Sequence, residues 1–154
     1  MRSMKEPASN EHLVKILIPI ASFVDKEKLL SGLNALTLFR SPLIMLFHVI
    51  ALPSRTSPLD ISAHKEAVSA AENRLKDIAE WLKEQGCQVM VKVVLARNIV
   101  EGIVTEANSG NYSVVLMMKR KMRKGLGALL QKSISERVIR SVNCLVLTTL
   151  VDYR

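Results

Sequence analysis

AHKEAVSAAENRLKDIAEWLKEQGCQVMVKVVL, residues Ala63 to Leu95, contains the change of period that decides the fold. Up to Gln85 the residues Ala67, Ala71, Leu75, Ile78, Ala79 and Leu82 return every three or four positions, the stripe of a long, half-exposed amphipathic helix. Gly86 supplies the stop, because glycine enters the left-handed conformation that ends a helix without a Cβ penalty. The run Gln88 to Leu95 is short, apolar and rich in valine, and reads as a strand.

The same alternation extends in both directions. Further strands are expected at Val14 to Ala21 (VKILIPIA), Leu43 to Ala51 (LIMLFHVIA), Ser113 to Met118 (SVVLMM) and Cys144 to Leu150 (CLVLTTL). Several are apolar on both faces, which calls for a sheet covered by helices on each side. Leu29, Leu30, Leu33 and Leu36 mark a first helix near residues 25 to 39. Asn98 to Glu101 and Ser133 to Glu136 both set a small polar residue three positions before a carboxylate, the capping-box spacing, and start the third and fourth helices. Pro53 to Ile61 (PSRTSPLDI) is the most loop-like connection. Strands and helices in strict alternation, joined by right-handed crossovers, give a doubly wound, Rossmann-like open α/β sheet. Its ligand crevice lies beyond the carboxyl ends of the strands, which directs attention to residues 21 to 25 and 119 to 132.

A chain of 154 residues, 49% hydrophobic, holds one core without staples and leaves no room for a second. Residues 13 to 151 are expected to form that single domain, behind a flexible segment of residues 1 to 12. The uncharged stretch Ser41 to Ser54 is too short for a bilayer span and is broken by Pro42 and His48. The opening MRSMKEPASN has no apolar core of a secretory signal, so a cytoplasmic location is expected. Cys87 and Cys144 lie far apart without a CxxC pattern and read as two buried free thiols.

The formal charge of +8 is local. Between Met118 and Ser141, Lys119, Arg120, Lys121, Arg123, Lys124, Lys132, Arg137 and Arg140 face one acid, Glu136, and leave +1 for the rest of the chain. A phosphate-bearing ligand, an anionic membrane surface and nucleic acid are the partners such a segment suits. Nucleic acid is the least supported, since no binding motif or aromatic stacking platform accompanies the charge. A solvated basic segment with no partner explains the run equally well.

Catalytic apparatus is missing from the sequence. There is no G-x-S-x-G elbow, no phosphate loop with GK[ST] and no G-x-G-x-x-G after a strand. His12, His48 and His64 lack the paired spacing of a metal site, and His48, inside an apolar strand, reads as a hydrogen-bonded core residue. Asp25, Glu27 and Asp60 read as helix-start acids favoured by the dipole. No catalytic residue, metal or resident cofactor is expected.

Lys15 to Ile20 (KILIPI), Leu46 to Ile50 (LFHVI), the hydrophobic fourth strand, and Ser133 to Arg140 (SISERVIR) followed by Cys144 to Leu147 (CLVL) together resemble the universal stress protein family over almost the whole chain. The resemblance implies an adenine nucleotide alpha hydrolase-like sheet in strand order 3-2-1-4-5. It also implies a homodimer joined through the last strand. Many members of that family bind ATP with an acid after the first strand and a Gly-x2-Gly-x9-Gly-Ser/Thr segment after the fourth. Here the acid position falls on Ala21 and the three glycines on Lys119, Met122 and Lys132, while Ser133 keeps the hydroxyl and Gly125 lies within the segment. Ser133 also serves as a helix N-cap, a role that needs no ligand.

The strings Ile18 to Ala21 (IPIA) and His48 to Leu59 (HVIALPSRTSPL) are similar to universal stress domains associated with amino-acid permeases and cation antiporters. The expectation is therefore a non-enzymatic regulatory or adaptor domain with a degenerate nucleotide site, acting on a membrane transporter or an anionic membrane surface. The alternative is a stress sensor that binds an adenine nucleotide or another phosphate ligand. Either would use Lys119, Arg120, Lys121, Arg123, Lys124, Gly125, Lys132, Ser133 and Ser135.

Overall fold

A computed structural model describes residues 14–21, 24–36, 42–52, 61–120 and 134–151. Among the described residues nine elements follow one another: β1 (Lys15–Pro19), α1 (Lys26–Ala35), β2 (Leu43–Ala51), α2 (Ile61–Glu84), β3 (Gln88–Ala96), α3 (Ile99–Ser109), β4 (Val114–Arg120), α4 (Ile134–Ser141) and β5 (Leu145–Val151). All strand pairs are parallel, in the order β3-β2-β1-β4-β5. The Rossmann-like α/β arrangement and the strand order are those expected.

Period-two alternation along the central strands builds two cores, one on each face of the sheet. Ile16, Ile18, Ile44, Leu46 and Leu116 meet Leu29 and Leu33 of α1 and Leu75, Ala79 and Leu82 of α2. Leu17, Met45, Phe47, Val49, Val115 and Met117 meet Ile103 and Ala107 of α3 and Val138 of α4. Full burial of a side chain such as Phe47 or Leu82 contributes about 1.5–3 kcal/mol.

Local signals end the helices where the sequence places them. Gly86 takes φ +89° and donates its N–H to the Lys83 carbonyl at 2.9 Å. Asn98 caps α3 by accepting from the Glu101 N–H at 2.8 Å. Gly102 is needed for contact: a Cβ there would stand 2.7 Å from both methyls of Val49, so its bare backbone lets α3 press on β2.

Some boundaries differ from expectation. Ala67 is exposed, and the sheet-facing stripe of α2 continues through Val68 and His64 instead, because a turn of 3.6 residues needs a step of three after the step of four from Leu75 to Ala71, and a second step of four to Ala67 rotates off the buried face. The thiols of Cys87 and Cys144 are free but half-buried, not buried, since both stand at the margins where strands begin. β4 runs two residues past Met118, so Lys119 and Arg120 belong to a strand and pair with Leu150 and Val151. Residues 1–13 and 121–133 lie outside the described residues, and with them the expected N-terminal segment, most of the basic run and the Ser133 cap.

Candidate functional site

Proline at the end of a central strand opens the sheet at its carboxyl edge. The Lys15 carbonyl accepts from Ser113 N–H on the β4 side at 2.9 Å. The two-residue period places Leu17 and Pro19 on that same side. Pro19 has no N–H to give to β4, and the β1–β4 register covers only Ile16↔Val114 and Leu17↔Val115. Beyond that point β1 stays with β2, while β4 continues with β5 to Arg120. The strands separate where α1 leaves for one face and α4 lies on the other, which makes the crevice.

On the β1 side of this crevice the backbone groups of Ile20 are engaged in local hydrogen bonds. Ile20 N–H donates to the Phe47 carbonyl at 2.7 Å, and the Ile20 carbonyl lies 2.6 Å from His48 Nδ1, so that ring nitrogen is the donor. His48 is thus the hydrogen-bonded residue the sequence suggested. Ala21, at the position where an acid was sought, is exposed. The next acid along the chain is Asp25, whose carboxylate accepts from Lys28 N–H at 3.1 Å as the N-cap of α1.

The β4 side is basic. Lys119 is half-buried at the end of the strand, with its backbone in the sheet. Ser135 is 6% exposed inside α4, so its side chain is closed off from solvent. The backbone of Arg120 is described as strand; Lys121, Arg123, Lys124, Gly125, Lys132 and Ser133 lie outside the described residues. Of the nine candidate positions, the structure therefore places Lys119 and Arg120 at the crevice and Ser135 in the packing beneath it.

A second polar cluster ties α3 to β1 and β3, and no sequence motif announced it. Glu106 accepts from Lys92 Nζ at 2.7 Å and from the Tyr112 hydroxyl at 2.8 Å. Lys15 Nζ donates to the Gly110 carbonyl at 3.0 Å and stands 4.6 Å from the centre of the Tyr112 ring. Burial alone would push the Glu106 carboxyl up, but the hydrogen bonds from Lys92 and Tyr112 and the nearby ammonium groups outweigh it and hold it below the usual range. Burial, then the bond to Glu106, pushes the Tyr112 phenol well up. A carboxyl depressed in the folded state adds stability that is complete above its unfolded pKa, about 4.3, and is lost as pH falls through the folded value. Glu106→Gln is therefore expected to cost about 2 kcal/mol at pH 7 in urea unfolding. The difference should begin to shrink below about pH 4, where the carboxyl of the unfolded chain takes up its proton, and disappear once pH has fallen through the lower folded value.

Burial raises the pKa of Cys87 and Cys144, so both thiols stay protonated and weakly nucleophilic. Among the described residues no group of three His, Cys, Asp or Glu side chains is placed to hold a metal, and no helix is long and apolar enough to cross a membrane.

Residues 14–149 match the model of the universal stress protein family. The chain is similar in fold to the universal stress protein of Archaeoglobus fulgidus in complex with dAMP, at 17% identity and TM-score 0.55, over 88% of this chain and 96% of that one. It is similar to the universal stress protein UspA of Lactobacillus plantarum at 13% identity and TM-score 0.66, over 90% and 99%. A universal stress protein family protein of Arabidopsis thaliana with AMP bound matches at 17% identity and TM-score 0.61, over 89% and 91%. No curated protein matches the chain.

Proposed function

We propose that this chain, which belongs to the universal stress protein family, is a non-enzymatic regulatory or adaptor domain whose nucleotide site is degenerate. It acts in the cytoplasm by docking its basic segment, residues 119 to 124, on an anionic surface at or beside a membrane transporter, and it works as a homodimer joined through β5. The observation that carries the reading is the carboxyl end of β1: Ala21 stands at the acid position, and Asp25, the next carboxylate, caps α1.

The other wall supports it. Lys119 occupies the place of the first motif glycine, and its backbone is held in the β4–β5 ladder. A lysine Cβ also obstructs the close backbone approach to phosphate that glycine permits. What remains is a set of cations on flexible stems, suited to a diffuse anionic surface more than to a shaped phosphate cradle.

A second reading is favoured by the dAMP and AMP complexes of the similar structures. In it the same cations bind an adenine nucleotide through side chains alone. Titration with ATP, AMP and a cyclic dinucleotide separates the two. The adaptor reading expects no saturable rise in the unfolding midpoint with any of them. A nucleotide at 100 times its dissociation constant would add about 2.7 kcal/mol of stability, a shift that thermal unfolding detects readily, and its appearance would establish the second reading.

A further inference from the structure

A cavity of about 300 Å³ lies on the opposite side of the sheet from the crevice's β4 wall, between the first turns of α2 and the end of β3. β3 is two places from β1 and three from β4 in the sheet, about 10 and 14 Å away, so this cavity adjoins neither wall of the family's crevice. It is lined by His64, Lys65, Val68, Ser69, Glu72 and Leu95. The volume lies at the lower end of the range for small-molecule sites.

Three features of the lining define what would fit. Leu95 is 45% exposed, an unusual cost for a large apolar side chain in a sheet, and with Val68 it offers an apolar floor. Lys65 and Glu72 carry opposite charges two helical turns apart on α2, with Ser69 between them, and are not paired with each other. His64 Nε2 is buried and has no hydrogen-bond partner, and His64 is one of the residues of the lining. An anion alone would meet Glu72, and a cation alone would meet Lys65. A small zwitterion with an apolar body satisfies both charges and covers the floor.

We infer that this cavity binds a free apolar α-amino acid, its carboxylate toward Lys65, its ammonium toward Glu72 and its side chain on Val68 and Leu95. The inference does not rest on the reading of the crevice. The test follows the His64 ring signals and the Val68 and Leu95 methyl signals by NMR during titration of the full chain. Three probes are used: L-leucine, N-acetyl-L-leucine, which lacks the ammonium, and isoamylamine, which lacks the carboxylate. L-leucine should give saturable shifts at these residues, with both analogues at least tenfold weaker. Lys65→Gln and Glu72→Gln should each weaken L-leucine at least tenfold while leaving the unfolding midpoint in place. Absence of saturable shifts with L-leucine, or equal binding of either analogue, overturns the proposal.

Discussion

Lys121→Glu, Arg123→Glu and Lys124→Glu, made together, are expected to weaken binding to vesicles containing anionic lipid by more than 100-fold. Each basic residue close to such a surface contributes about 1 kcal/mol, so removing three attractions alone costs about 3 kcal/mol, and the three new carboxylates add repulsion. The binding of the parent protein should fall steeply between low and physiological salt, and that of the triple variant should be weak throughout. Lys119 is left unchanged because it is half-buried and its backbone belongs to β4, so its reversal would also test folding. Vesicle co-sedimentation measures the effect. Unchanged binding would remove this segment from the account.

The second large effect concerns the outer edge of the sheet. β5 has β4 on one side and, among the described residues, no strand on the other. Its residues Leu145–Val151 contain no charge and no proline, the devices that usually blunt an edge. Leu145 is 74% exposed and Leu150 50%. A twofold pairing of β5 with its copy would cover four such leucines, worth roughly 6 kcal/mol at about 1.5 kcal/mol each. Light scattering is expected to give the mass of two chains for the parent protein. Leu145→Lys with Leu150→Lys should raise the dissociation constant more than a thousandfold and give the mass of one. A parent protein that is monomeric at high micromolar concentration would contradict the β5 interface.

Much of the fold is legible in the sequence because it is written in local patterns. The leucines of α1, the stripe of α2 ending at Gly86, and the Asn98 cap each act within a few residues of themselves, and the structure keeps them. The inner strands β1, β2 and β4 are apolar on both faces because helices cover both faces, whereas β3 alternates exposed and half-buried residues. The strand order was available only through resemblance, since nothing local in VKILIPIA states that its neighbours are β2 and β4.

The site is less legible. Pro19 is visible in the sequence, but its consequence depends on which side of β1 faces β4, a matter of register. The Glu106, Lys92 and Tyr112 cluster joins residues from separate elements and has no spacing to betray it. His64 and Leu95 become neighbours of one cavity only after α2 folds back along β3. The missing acid at Ala21 needed no structure to be seen. What the structure adds is that Asp25 is held at the start of α1.

The central claim is that this chain does not carry a resident adenine nucleotide. Purified protein, prepared without added nucleotide, can be denatured in acid and its soluble fraction chromatographed with detection at the adenine absorbance. The account predicts no adenine nucleotide above a few per cent of the protein concentration. Release of AMP, ATP or a related nucleotide approaching one per chain would contradict it.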